Sequence, residues 1–369
     1  MTKSVTRERH DRLVYSVIGV VGLAYAFYRG YLVFLPVRLS TFDSWQVGDW
    51  LIDYSGGLVR RGFSGEVVFL IASQGADALA LVVITQTVFA AVLFVLVGVL
   101  YWQTNRGPVW LMLVLSPAFL LFPALDAMGN ARKELIVLVA LALAAVFHRA
   151  QRTKLGLWVS FPIFALGVLS HEAMVVTLAA FAYLAFTSLG TKKAWPVVAA
   201  YIIPSIFSVI VALVRSGDAQ TVDLICQTWN SRGLTNCGGA LAALDVSATD
   251  MINKISTQGF PEYWSYLLAV AMAALPFFAL RYFPREQLIG WIIVLAGTPL
   301  FFIGWDYGRW IFIIVAQLSL LVLARPERTQ PMRVPLYAAL AFILLWGFDH
   351  AGSGNSAGLG VRWLSSFLS

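Results

Sequence analysis

Residues 135–147 read LIVLVALALAAVF. A strand of an outer-membrane barrel alternates apolar and polar residues over about ten positions. This run does not alternate, so it is read as helix. Apolar stretches of about 15–25 residues recur along the chain, each long enough to cross a hydrocarbon core roughly 30 Å thick at about 1.5 Å of rise per residue.

Composition agrees. Of 369 residues 59% are apolar and 12% charged, with a mean hydropathy of +0.78, whereas soluble domains carry about a quarter charged residues. A soluble globular protein is excluded. The formal charge of +7 is spread through short connections and forms no single basic face, so it speaks of topology and not of nucleic acid. The start, MTKSVTRERHDR followed by a long apolar run, lacks the short core and small-residue cleavage site of a signal peptide and is read as a retained first span.

The expected architecture is an all-α, polytopic membrane protein, one transmembrane domain over 1–369, with about eleven spans near 14–36, 78–102, 109–126, 134–148, 155–171, 173–190, 195–214, 263–281, 287–304, 310–324 and 334–348. With the N-terminus in the cytoplasm, the inner connections are short and rich in Lys and Arg, while acids outnumber bases on the other side. This is the positive-inside pattern. It predicts a cytoplasmic N-terminus and a C-terminus on the opposite side of the membrane. Three outer segments are too polar to span: 37–77, 215–262 and the tail 349–369. Residues 65–77 (GEVVFLIASQGAD) are apolar yet too short to cross, and predict a helix at the interface. The two cysteines, Cys226 and Cys237, both fall outside, where an oxidising compartment permits a disulfide; the alternative is two free thiols.

Charges near a bilayer are costly, and those that persist tend to be paired or functional. Here they gather at four outer hairpin ends. The first carries Asp43, Asp49 and Asp53, then Arg60 and Arg61 among Gly56, Gly57, Gly62 and Gly65, glycines that would let backbone approach a ligand. The second, MGNARKE, carries Asn130, Arg132, Lys133 and Glu134; the third His171 and Glu172; the fourth, DYGRW, Asp306, Tyr307, Arg309 and Trp310. The first and fourth have plainer readings. Arg60 and Arg61 suit headgroup anchors, Asp306 and Arg309 suit a pair on one helical face, and the three first-segment acids suit a solvated loop. His148, at an inner helix end, reads as facing headgroups. Arg29, inside the first span, either snorkels or lines a site.

Arg and Lys together suit a phosphate or diphosphate, through paired donors and neutralisation of developing charge. A nearby Asp, Glu or His takes a proton from an attacking hydroxyl. Trp45, Trp50, Tyr54, Tyr307 and Trp310 are available to stack on sugar rings or to form an interfacial belt. There is no P-loop, HExxH, Cys-x-x-Cys or GxSxG in the required context. No cofactor is expected, and the lack of an Asp-x-Asp motif disfavours a divalent metal.

The stretch GNARKELIVLVALALAAVFHR (129–149) followed by LSHEAMVVTL (169–178) resembles the Asn-x-x-Arg-Gln and Ser-x-His-x-Ser pattern of bacterial O-antigen and exopolysaccharide polymerases of the Wzy type. Asn130 and Arg132 fill the first motif, Ser170 and His171 the second, and DYGRW is similar to an arginine motif before a late span. The sequence departs from the pattern in having Arg132 one position early, Lys133 where Arg is expected, Glu134 for Gln, and Glu172 after His171. The acidic first outer segment is similar to that of the GT-C class of polyprenyl-linked glycosyltransferases.

The resemblance implies a membrane glycosyltransferase of the bacterial inner membrane, its C-terminus in the periplasm, with a polyprenyl-diphosphate-linked saccharide donor and a sugar hydroxyl acceptor, working among membrane lipids with other polysaccharide-assembly proteins. Arg60, Arg61, Asn130, Arg132, Lys133 and Arg309 would bind the diphosphate, and the base would come from Asp53, His171, Glu172 or Asp306. The rival is a transporter or flippase for a lipid-linked saccharide, which usually shows internal repeats and midplane polar residues. A noncatalytic assembly subunit is a third possibility.

Overall fold

A computed structural model describes residues 2–40, 45–126, 129–215, 217–234, 237–246, 248–258, 260–281, 287–325, 331–351, 356–361 and 364. Six helices among them are long and apolar enough to cross a membrane: His10–Leu32, Ala78–Trp102, Thr153–Ser170, Glu172–Leu189, Thr191–Val214 and Tyr307–Ala324. They fall on six of the eleven expected spans. Five of these helices bury 28–44% of their most apolar window, whereas Tyr307–Ala324 buries 89%, so it stands at the centre with the others around it. The outer helices turn apolar residues outward at helical spacing, as Ile203, Phe207, Ile210 and Val214 do on one of them. That is the pattern of a lipid-facing surface.

The helix Glu134–Arg149, which contains the run that does not alternate, is the second central element. It packs against Thr153–Ser170, Ala78–Trp102 and Tyr307–Ala324. Gly167 admits it, since a Cβ there would meet Val137 Cγ2 at 2.2 Å. Both central helices begin beside the charged residues described below.

Of the remaining expected spans, 134–148 and 263–281 fall on the continuous helices Glu134–Arg149 and Phe260–Ala279, and the other three are short or broken. Residues 109–126 form Pro108–Val114 and Phe122–Leu125 with a turn between, in which Ala118 N–H donates to Ser116 Oγ (3.1 Å) and Phe119 and Leu121 return to the Ser116 carbonyl. Pro117 has no N–H to give a helix and crowds the preceding turn. The break lies inside protein, where its polar backbone finds partners. Residues 287–304 divide in the same way at Thr298–Pro299, into Gln287–Gly297 and Leu300–Ile303. Leu336–Leu345 is followed by the two-residue strand Trp346–Gly347, antiparallel to Ser356–Ala357.

In the first outer segment the short helix runs Gly62–Ala72, three residues earlier than expected. It starts from Arg61, whose φ of 66° is left-handed, a conformation uncommon for a residue with a side chain. Gly62 and Gly65 serve packing here and not ligand approach. A Cβ at Gly65 would lie 1.9 Å from the Ile52 carbonyl oxygen, and one at Gly62 would meet the Tyr54 ring. The second outer segment lies on the first. Cys226 and Cys237 are joined in a disulfide with Cα atoms 5.6 Å apart, and Trp229, on the helix Ala219–Asn230, donates from Nε1 to the Leu51 carbonyl at 2.8 Å.

Candidate functional site

Residues from all four hairpin ends meet. Arg61 grips Glu172 with Nε and Nη2 at 2.8–3.1 Å, and Arg60 Nη1 lies 3.9 Å from the same carboxylate. Lys133 Nζ donates to the Arg61 carbonyl at 2.8 Å and stands 3.9 Å from Asp49 Oδ1, with both side chains wholly buried. Arg309, on the first turn of the central helix, pairs with Glu134 and with Asp306, and its Nη2 is 3.4 Å from His171 Nε2. His171 Nε2 is in turn 3.6 Å from Glu134. The first segment is thus tied to the third, the second to the first, and the fourth to both the second and the third.

The second outer segment holds Arg60 from above, where the Leu244 and Val246 carbonyls accept from its Nη2 at 3.2 and 3.1 Å. Ala131, between Asn130 and Arg132, has a φ of 55°. With Arg61, that puts two left-handed non-glycine residues at the cluster, a form of strain that persists only where surrounding contacts enforce it.

Among the described residues the charges do not cancel: five cations (Arg60, Arg61, Arg132, Lys133, Arg309) face four carboxylates (Asp49, Glu134, Glu172, Asp306). Among the described residues Arg132 has no ion pair. It is 5% exposed, its Nε and Nη1 make no hydrogen bond, and its guanidinium sits 5.6 Å over the Trp45 ring. Burial and then Arg309 pull its pKa down, against Asp49. Burial also lowers Lys133, to about 8, although Asp49 opposes the shift. Asp49 itself is raised by burial, but Lys133 and Arg132 outweigh that and hold it well below the carboxylate range. Neither of its oxygens accepts a hydrogen bond. A buried cation without a partner is costly, and an anionic ligand would relieve that cost.

His171 is held neutral, its pKa lowered to about 4 by burial and then by Arg61. Its Nδ1 accepts from Ala173 N–H at 3.3 Å, capping the 3-10 turn Glu172–Thr177. Nε2 lies between the Arg309 guanidinium, a donor, and the Glu134 carboxylate, an acceptor, so both ring nitrogens are engaged within the protein.

Some expected residues stand elsewhere. Asp53 is buried away from the cations. Its Oδ1 accepts from Ser55 N–H (2.8 Å) and Ser55 Oγ (2.5 Å), and burial raises its pKa. Glu66 and Trp229 are its other neighbours. Asn130 is a tie between elements, donating to the Gly30 and Pro123 carbonyls at 2.7 and 3.2 Å and accepting from Gln46. Trp50 donates to the Ala131 carbonyl, Trp310 to that of Gly304, and Tyr307 packs on Tyr266 and Phe301. Trp45 remains 42% exposed, so of the aromatics it is the one with a face to offer. Asp43 lies outside the described residues.

One pair had no signal in the sequence. His350, in the tail, meets Asp126, 224 residues earlier, through its backbone N–H and through Nδ1 at 2.7 Å. Among the described residues no group of three or more His, Cys, Asp or Glu is arranged to hold a metal ion.

The model of the family described as Uncharacterised membrane protein Rv1490 matches residues 17–264, about two thirds of the chain. No curated protein matches the chain. No solved structure matches it either.

Proposed function

The chain belongs to the membrane-protein family Rv1490, and from that premise we propose that it is a membrane glycosyltransferase of the polysaccharide-polymerase type. It takes a saccharide linked to a polyprenyl phosphate or diphosphate and transfers it to a sugar hydroxyl at the periplasmic face of a bacterial inner membrane. In this reading the eleven apolar segments form a GT-C-like helical body, and the broken segments line it from within.

The observation that carries the proposal is Arg132, a guanidinium almost wholly buried and, among the described residues, without a carboxylate partner, beside Lys133 in a cluster whose described members carry one cation in excess. A diphosphate supplies the missing negative charge and suits the geometry of guanidinium. As the glycosidic oxygen leaves on phosphate, its growing charge is met by groups already in position, which is how preorganised cations accelerate such steps. Glu172 and Glu134 have another task. They hold Arg61 and Arg309 in fixed orientation, so these cations need not reorganise when the donor arrives. Trp45 stands ready to stack on a sugar ring, and the lipid tail of the donor explains why the whole enzyme is embedded in a bilayer.

The test is to replace Arg132 with Ala in the full chain and measure glycan chain length in membranes where insertion is verified. We expect chains to stop near one repeat and the lipid-linked donor to accumulate. Full-length polymer from this variant sinks the proposal. Donor trapped on the cytoplasmic leaflet would instead identify a carrier.

A further inference from the structure

We propose that His350, oriented by Asp126, is the general base that accepts the proton of the attacking sugar hydroxyl; this rests on the glycosyl-transfer reading above. Asp126 is 6% exposed and already committed. Its Oδ1 accepts from Gly129 N–H at 2.9 Å, and its Oδ2 from both the backbone N–H and Nδ1 of His350. A carboxylate against Nδ1 fixes the hydrogen there and leaves the lone pair on Nε2. The His350 side chain is 26% exposed, and its Nε2 makes no hydrogen bond among the described residues. This is the carboxylate–imidazole arrangement that activates hydroxyl groups on unrelated folds. His171, by contrast, has both ring nitrogens engaged, Nδ1 by a backbone N–H and Nε2 by Arg309 and Glu134.

The seat of His350 is built by two glycines that belong to the charged hairpins. Gly308 donates its N–H to the His350 carbonyl at 3.0 Å, and a Cβ at Gly308 would lie 2.1 Å from the Asp349 carbonyl oxygen. A Cβ at Gly129 would meet His350 Cβ at 3.0 Å. Tyr266 Oη donates to the Asp349 carbonyl at 3.2 Å. The strap at 349–350 is therefore wedged between the turn that carries Asn130 to Glu134 and the turn that carries Asp306 and Arg309. Its ring lies within electrostatic reach of Asp306, the ion-pair partner of Arg309, and keeps an edge to solvent.

The other acids of the site are engaged. Arg61 holds Glu172, Arg309 holds Glu134 and Asp306, and Asp49 is enclosed at 0% exposure beside Lys133. In the reaction the acceptor oxygen forms a bond to the anomeric carbon of the donor as its proton passes to Nε2. The bond from that carbon to the phosphate oxygen breaks, and the electron pair leaves on the phosphate, which Arg132 and Lys133 neutralise. Asp126 balances the imidazolium, and the proton departs to water through the exposed edge. The products are the extended glycan and the polyprenyl phosphate or diphosphate.

The experiment compares His350→Ala and Arg132→Ala in the full chain, in native membranes, by transfer of labelled saccharide from the endogenous lipid-linked pool. Binding of a short-chain polyprenyl diphosphate is measured alongside. The backbone bonds of residue 350 to Asp126 and Gly308 survive the substitution, so its fold contacts are largely kept. We expect His350→Ala to lower transfer by about 100-fold or more, within the range for loss of a general base. It should keep binding of the diphosphate probe, and added imidazole should restore part of the transfer. Undiminished transfer by His350→Ala while Arg132→Ala is inactive overturns the role of His350 and leaves the glycosyl-transfer reading standing. Loss of transfer without rescue by imidazole, in His350→Ala and His350→Gly alike, also overturns it. Undiminished transfer in both single variants, with no binding of the probe, overturns the underlying reading.

Discussion

The two central helices, Glu134–Arg149 and Tyr307–Ala324, carry charge at both ends, and the two ends solve the problem of burying it differently. At one end Arg149 reaches across to the carbonyls of Leu323 and Arg325 at 2.9 and 2.5 Å and to that of Gln103. It supplies donors where a helix runs out of them, and the guanidinium stays half-buried, in touch with water. At the other end Glu134 and Arg309 are nearly sealed, bonded to each other and embedded among further charges. Several atoms there, including Arg309 Nε, Glu134 Oε2 and both Asp49 oxygens, make no hydrogen bond. The first arrangement is what stability alone asks for. The second gives up stability, because buried ion pairs seldom outperform apolar packing, and it makes sense where an anion completes it.

The largest expected effect probes that sealed end. Arg309→Met takes from the buried Glu134 its paired cation, and should cost about 3–5 kcal/mol, the usual penalty for removing one partner of a buried pair. The measurement is thermal unfolding in detergent. The double variant Glu134→Met/Arg309→Met should recover much of the loss while remaining inactive. A single variant as stable as the parent would mean that the pair is not sealed, and the contrast between the two ends would collapse.

Acid tests the same end next. The unfolded chain protonates His171 near its ordinary 6.5, the folded chain only near 4. Between these values the unfolded state binds more protons, so the contribution of His171 to stability falls as pH drops through that window. His171→Asn should flatten this part of the stability profile. An unchanged slope in the variant would assign the acid sensitivity to other groups.

How much of this was legible beforehand depends on the range of the interaction that decides it. The six long helices follow from apolar runs alone, and the four charged hairpins stand out because charge beside a bilayer is costly wherever it occurs. Which acid joins the cations is a different question. Asp49 and Asp53 are four residues apart, each followed by an aromatic residue, yet Asp49 faces Lys133 and Asp53 turns to Ser55. The difference is made by Gly65, which seats the Gly62–Ala72 helix directly on the Ile52 carbonyl and fixes which way the following turn faces. No local pattern encodes that. The pairing of Asp126 with His350 is less legible still, since only the folded chain brings the tail between Gly129 and Gly308. The breaks at Pro117 and Pro299 were readable in principle, since proline supplies no helical donor, but long apolar runs conceal them.

The disulfide yields a smaller effect, and one that separates positioning from charge. Cys226→Ser with Cys237→Ser opens a loop of sequence separation 11 and should cost about 2–3 kcal/mol on the loop-entropy scale. The second outer segment would loosen, and with it the carbonyls of Leu244 and Val246 that hold Arg60. Transfer should fall through weaker donor binding, seen as a raised KM at little-changed kcat, because Arg132 and Lys133 are held by other elements. An equal fall in kcat would show that the segment reaches the reacting atoms.

Arg149→Met is the smallest effect and the one that completes the comparison. The substitution keeps much of the side-chain volume and removes donors from the Gln103, Leu323 and Arg325 carbonyls, which water can replace because the site is half-buried. The loss should be roughly 1–2 kcal/mol, toward the low side for hydrogen bonds from a charged donor in a partly wet site. Transfer per folded molecule should be unchanged, as Arg149 stands at the end of its helix opposite the cation cluster. The two arginines sit at opposite ends of one helical pair, with similar chemistry and different surroundings. If Arg149→Met lowered transfer as Arg132→Ala is expected to, the division between a structural end and a functional end would be wrong, and the charges at both ends would have to be read as one path through the protein, which is the arrangement a carrier needs.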